Sequence, residues 1–147
     1  MNPDKLIPIA HAYAQLSKDS VKVGAILCDK EGGILSAGFN GFPRNVEDFQ
    51  ERYDAEDIRD RLIVHAEVNA LLQAARTGAS TQGSSLVVWG RTVCAECCKA
   101  AVQAGVTRIL MPQLKPEQSL KWTTHRQWTR IIADEAGVEL IEYQEMD

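Results

Sequence analysis

No run of apolar residues in this sequence approaches the ~20 needed to span a bilayer, so a chain embedded in a membrane is not expected. The opening segment, MNPDKLIPIAHAYAQ, has no basic stretch ahead of a long apolar core. A secretory leader is therefore not expected either, and the cytoplasm is the expected compartment. Positive charge is scarce and dispersed: 16 Lys and Arg stand against 20 Asp and Glu, for a net charge of −4, and no three basic residues cluster. Proteins that track a nucleic-acid backbone show a basic face, so long nucleic acid is a poor partner. A single small phosphate needs only one or two cations and some backbone N–H groups. Repeats, low-complexity tracts and linkers are absent too. Cysteine is sparse, and three of the four, Cys94, Cys97 and Cys98, are near neighbours. Neighbours cannot staple distant segments, so the cluster points to metal binding or redox chemistry, not to a disulfide framework.

What is present suits a globular chain. Its 147 residues are 45% hydrophobic and 24% charged, enough to bury a core unaided. We expect residues 1–147 to form one domain. Apolar residues of helical period predict a helix over 3–17. A β-rich run over 21–28, a turn over 29–33 and a second strand over 34–39 read as a hairpin. Residues 40–45 carry Gly and Pro breakers, and the charged stretch 46–61 is expected to be partly helical. Helices are predicted over 65–76, 94–104 and 118–136, stopped by Gly78, Gly105 and Gly137. Strands are predicted over 85–89, 107–111 and 138–143. Strands joined by helices lie parallel in one sheet with helices on its faces. The hairpin makes that sheet mixed, so the expected fold is α/β: a three-layer α/β/α sandwich around a mixed five-stranded sheet. Ligands in such folds sit where strands end and helices begin, and His65 and Cys94 both fall at predicted helix starts.

Two motifs carry the chemistry: His65-Ala66-Glu67 and Cys94-Ala95-Glu96-Cys97. Imidazole and thiolate are the ligands zinc favours. Residues three apart share a helix face, and the free N–H groups of a first helical turn favour thiolate over thiol. With His65, Cys94 and Cys97 as ligands, a fourth position stays open for water, the catalytic arrangement. Cys98 lies four residues after Cys94 and spacing alone does not exclude it. We read Cys98 and Cys28 as small buried apolar residues. Glu67 is the candidate carboxylate for proton transfer. Positions two apart do not face together in a regular helix, so His65 and Glu67 must meet at the helix tip. Together the motifs match the zinc deaminase signature, His-x-Glu followed by Pro-Cys-x-x-Cys, except that Val93 stands in the Pro position.

At this point the sequence resembles the cytidine and deoxycytidylate deaminase superfamily, and within it the deoxycytidylate (dCMP) branch. The likeness runs from about Leu16 to Tyr143 through SKDSVKVGAIL, GFNGFPR, VHAEVNALL, CAECCKAAVQAGVTRIL and EAGVEL. It implies hydrolytic deamination of dCMP to dUMP. It implies one zinc ion per chain held by His65, Cys94 and Cys97, with Glu67 as proton shuttle. It also implies that Asn40 and Ala66 contact the substrate, and that Ser17, Lys18, Asp19 and Arg44 grip its 5′-phosphate. Some relatives carry a second, structural zinc; residues 42–64 here contain neither Cys nor His, so one ion is expected. The likeness further implies a homo-oligomer, dimer or hexamer, and dCTP and dTTP as effectors. The same motifs leave other readings open: another free base, nucleoside or 5-substituted dCMP as substrate, a tRNA adenosine deaminase, or a non-catalytic zinc module. No role is assigned to His11 or His125. Trp122 and Trp128 are read as packing or subunit contacts.

Overall fold

The computed structural model describes residues 3–115 and 119–145. A 3-10 turn, Pro3–Leu6, leads into α1 (Ile7–Ala14), then β1 (Gly24–Cys28) and β2 (Ile34–Phe39). Two short helices follow, α2 (Gln50–Asp54) and α3 (Glu56–Leu62), within the charged segment. Then come α4 (Ala66–Thr77), β3 (Ser85–Trp89), α5 (Ala95–Gln103), β4 (Arg108–Pro112), α6 (Leu120–Ala136) and β5 (Glu139–Tyr143). The five strands form one mixed sheet in the order β2-β1-β3-β4-β5. β1 runs antiparallel to both β2 and β3, while β3, β4 and β5 are parallel. The expected α/β fold and mixed sheet are what the structure shows.

Side chains alternate across that sheet, as strand geometry requires. Ala25, Leu27, Leu86, Val88, Ile109 and Met111 pack against Ala66, Ala70, Ala74, Cys98, Ala101 and Ala133 of α4, α5 and α6. Ile26, Cys28, Val87 and Leu110 face the other way, onto Leu6 and Ala10. The layers are therefore one helix, the sheet, and three helices. β1 is buried along its whole length, the pattern of a strand covered on both faces.

Most boundaries hold or shift by a residue, and larger differences from the sequence reading flank the loop between the first helix and β1. The first helix stops at Ala14, and β1 starts at Gly24 rather than Val21. Between them, side chains replace regular backbone partners. The Val21 N–H donates to Asp19 Oδ1 at 3.3 Å and the Val23 N–H to Asn40 Oδ1 at 2.9 Å. The Ser17 hydroxyl donates to the Asn40 carbonyl at 2.8 Å. The predicted start of the last helix, Gln118, lies outside the described residues; helix is observed from Leu120.

Close approach fixes both helix starts that matter. β2 touches α4 at Gly38, where an added Cβ would sit 2.5 Å from the Ala66 carbonyl oxygen and the Ala70 nitrogen. Asn69 Nδ2 of α4 donates to the Phe39 carbonyl at 2.8 Å, tying the same turn to the end of β2. After β3, Gly90 takes φ +110° against the Lys22 carbonyl, a conformation and a clearance that only glycine combines. The turn that follows is pinned from two sides. Val93, fully buried, donates its N–H to Met111 Sδ at 3.3 Å and accepts the Thr129 hydroxyl at 2.8 Å. Proline at 93 would lack that N–H, so here the partners on β4 and α6 hold the turn that proline would otherwise pre-set.

Gly38→Ala forces backbone against backbone. We expect it to destabilise the zinc-loaded protein by about 1–3 kcal/mol, read as a lower denaturation midpoint in urea with an unchanged slope.

Candidate metal centre and active-site cleft

His65 is the N-cap of α4 and Cys94 the N-cap of α5, both extended in backbone (ψ 150° and 162°). Each side chain therefore leaves its helix at the tip, and the two tips face one another. His65 Nδ1 lies 3.3 Å from Cys97 Sγ and 3.5 Å from Cys94 Sγ. All three ligand atoms fall within 4.8 Å of one another. Zinc bonds of ~2.3 Å to sulfur and ~2.0 Å to nitrogen, set tetrahedrally, separate nitrogen from sulfur by about 3.5 Å. The three residues fit one zinc ion. Cys98 is excluded by direction: its thiol turns into the core and donates to the Thr129 carbonyl at 3.7 Å.

Charge makes the same argument. The Cys94 thiol is drawn well below its ordinary range, chiefly by its neighbour Cys97 and also by His65, and the Cys97 N–H points at its sulfur at 3.4 Å. Cys97 is pushed well up, first by its contact with Cys94 and then by burial and the neighbouring Glu67. The two sulfurs are therefore driven in opposite directions, Cys94 toward thiolate and Cys97 toward thiol. His65 is raised by its hydrogen bond to Cys94, against burial. Glu67 is 4% exposed, and burial pushes its carboxyl up to about 7, with His65 pulling the other way. Two sulfurs and a buried carboxyl cannot all ionise in so small a space without a cation. A divalent ion meets that need.

Above the centre opens a cleft of about 510 Å³, within the range of small-molecule sites. His65, Ala66, Glu67 and Cys94 lie at its base, with Asp19, Val23, Asn40 and Thr92 on its walls. The predicted substrate residues divide. Ala66, Asn40 and Asp19 line the cleft. Asn40 is largely spent on the chain: Oδ1 takes the Val23 N–H and Nδ2 donates to the Val21 carbonyl at 2.8 Å. Ser17 is buried behind it. Lys18 and Arg44 do not line the cleft. Lys18 pairs with Asp48 at 3.3 Å, and Arg44 donates to Gln73 at 3.0 Å on the exposed side of α4.

Several lining residues were not singled out in the sequence. Arg59, Arg91 and Lys121 supply the positive charge, and Trp122, read as packing, forms part of the wall. His125 lines the cleft and accepts the Ala95 N–H on Nδ1 at 3.2 Å, bracing the first turn of α5. No sequence motif marked these positions. Arg91, three residues before Cys94, had nearness to a ligand as its one signal. His11 stacks on Trp89 with ring centroids 4.2 Å apart, a packing contact.

Comparison with known proteins agrees with this geometry. The family model for the cytidine and deoxycytidylate deaminase zinc-binding region matches residues 2–112. A probable deoxycytidylate deaminase of Drosophila melanogaster is 34% identical over 86% of this chain, which spans 64% of that protein's length. The deoxycytidylate deaminase of Mus musculus is 32% identical over 84% of this chain and 71% of its own. Among solved structures, the dCMP deaminase of cyanophage S-TIM5, in complex with dCMP and dUMP, superposes with a TM-score of 0.76 at 26% identity, over 97% of this chain and 99% of that one. Motif, metal centre and family match converge, and the chain belongs to the cytidine and deoxycytidylate deaminase family.

Proposed function

We propose that this chain removes the 4-amino group of dCMP by hydrolysis, giving dUMP and ammonia, with one zinc ion per chain. The observation that carries the reading is the three-ligand centre at the base of a nucleotide-sized cleft, with a buried carboxyl beside it. Three protein ligands suit a catalytic zinc, and a closed structural site would need a fourth. The names of the relatives and the dCMP and dUMP held by the cyanophage enzyme support the choice of base and sugar.

Bound zinc supplies a Lewis acid that makes water nucleophilic near neutral pH. The remaining work falls to the chain. Glu67, with its carboxyl lifted to about 7 by burial, is suited to take a proton from the attacking water and deliver it to ring N3 and then to the departing amine. Ala66, the first residue of α4, offers a main-chain N–H to the base edge. Asn40 and Asp19 form the polar wall proposed to face the sugar. Val23, Ile63 and Trp122 line the same cleft and exclude water from the ring. His125 and Thr129 hold the turn that carries Cys94.

Two wider expectations belong to the same proposal. The four cysteines are unpaired thiols, which supports a reducing compartment such as the cytoplasm; no helix among the described residues is long and apolar enough to cross a membrane. Leu72, Trp128 and Ile131 are exposed on α4 and α6, which supports assembly into a dimer or hexamer. The dCTP and dTTP effects are tested in the assay below.

Glu67→Gln is expected to bind zinc like the parent and to lose about 10²- to 10⁴-fold in kcat. Unchanged turnover in that variant would sink the mechanism. Chelation should abolish activity, and added zinc should restore it at one ion per chain by elemental analysis. Cys94→Ala and Cys97→Ala should fail to retain zinc, whereas Cys98→Ala should retain it. In an ammonia-release assay with dCMP, CMP, deoxycytidine, cytidine, 5-methyl-dCMP and dCTP, with and without dCTP or dTTP as effector, dCMP should lead. Deoxycytidine turned over as well as dCMP would overturn the nucleotide reading.

A further inference from the structure

The two basic residues nominated by the sequence to meet a phosphate lie away from the cleft. Three others line it: Arg59, Arg91 and Lys121. Arg59 is already engaged, 3.9 Å from Asp19 and 3.4 Å from Asp60. Arg91 is not. Among the described residues, no carboxylate or carbonyl forms an ion pair or hydrogen bond with it, although it is half-buried. Its one specific contact is with Trp122, whose ring centroid lies 4.6 Å from the guanidinium carbon.

That contact leaves the chemistry of the side chain available. A guanidinium seated over an aromatic ring uses its π face, while its N–H donors point outward in the guanidinium plane. An in-plane fork of donors is the shape that takes two oxygens of one phosphate side by side. Withdrawing a cation from water is costly, and stacking on the half-buried Trp122 ring offsets only part of that cost. Burial is the main influence lowering the Arg91 pKa, with Arg59 adding to it, while the Asp19 and Glu67 carboxylates act in the opposite direction. Asp19 is nearby but pairs with Arg59, and among the described residues no carboxylate comes within ion-pair distance of Arg91, so its donors stay open to an oxyanion in the cleft. Lys121, beside Trp122 in the first turn of α6, also faces the cleft and forms no ion pair among the described residues.

The backbone makes this position a fixed reference point. Arg91 follows Gly90, which is pressed against Lys22. It precedes the turn that Met111, Thr129 and His125 hold in place through Val93 and Ala95. The Arg91 backbone is therefore carried by a braced turn and not by a free loop, and the Trp122 ring seats its guanidinium.

We propose that Arg91, seated on Trp122 and assisted by Lys121, grips the 5′-phosphate of the substrate and sets the preference for a nucleoside monophosphate over the free nucleoside. The inference rests on the dCMP reading above and adds the residue that reads the anion. Asp19, Glu56, Asp60 and Glu96 line the same cleft. Their charge opposes the further phosphates of a di- or triphosphate, so the monophosphate is the favoured length.

The test compares kcat/KM for dCMP and deoxycytidine in zinc-loaded parent, Arg91→Gln, Arg91→Lys and Trp122→Leu proteins, with zinc content measured for each. A charge-assisted hydrogen bond is worth about 1.5–3 kcal/mol, so Arg91→Gln should lower the dCMP-to-deoxycytidine ratio by about 10- to 100-fold, mainly through KM. Arg91→Lys should lower it less, and Trp122→Leu should lower it through loss of the seat. A ratio within twofold of the parent in Arg91→Gln, or an equal fall on both substrates, overturns the proposal. Calorimetric binding of dUMP and deoxyuridine separates the two readings. Should the parent fail to deaminate dCMP, the functional reading falls. The Arg91 inference then stands if dUMP binds more tightly than deoxyuridine and the margin shrinks in Arg91→Gln, and it falls if the parent shows no margin. If Arg91→Gln loses zinc, Arg91→Lys, which keeps the charge and the stem, decides by the same ratio: parent-like discrimination against an intermediate loss.

Discussion

Beneath the cleft, two sulfurs, an imidazole and a buried carboxyl crowd into a space where their charges cannot coexist unaided. Cys94 is driven toward thiolate and Cys97 away from it, and Glu67 is lifted to about 7 by burial. Much of the surrounding structure can be read as a means of holding these groups at that separation. A dication resolves the conflict, because both sulfurs can then ionise and the carboxyl faces a positive centre.

Holding the groups there depends on two helix tips that come from distant parts of the chain. The α4 tip is set by the contact of Gly38 with Ala66 and Ala70 and by the Asn69 hydrogen bond to Phe39. The α5 tip is set by Gly90 and by Val93, Met111, Thr129 and His125. None of the residues that brace the second tip is a metal ligand, and they come from β4, α6 and the loop after β3. The last helix, which carries no ligand of its own, thus takes part in the metal centre through Thr129 and His125 and in the cleft wall through Lys121 and Trp122. Because the cleft lies between these elements, the metal ligands and the basic residues Arg91 and Lys121 are held by the same set of packed elements.

The sequence reading and the structure part company where side chains must choose among partners. The order of helices and strands, the hairpin and the helix stops at Gly78 and Gly137 were legible, because periodicity and turn chemistry act over a few residues. The boundary at Val21 was not, since the Val21 and Val23 N–H groups bond to Asp19 and Asn40 side chains instead of entering the sheet ladder. Lys18 and Arg44, expected from their place in matching stretches to meet the phosphate, are not among the cleft-lining residues and contact Asp48 and Gln73. Those partners lie 29 or 30 positions away, beyond any local pattern.

By itself, then, the sequence determined the chemistry on offer: an imidazole, two thiols and a carboxylate at predicted helix starts, which is a statement about residue type and local spacing. Cys97 and Cys98 were equivalent at that level, since both share a helix face with Cys94. Only the tertiary structure separated them, by turning Cys97 toward His65 and Cys98 toward Thr129. It likewise brought Arg91 to the cleft and seated it on Trp122 from a helix 31 residues on. The physical reason is common to both cases. Local propensity fixes the direction of a chain, but the partner of a side chain is fixed by which elements pack against it, and that is settled only when the layers close.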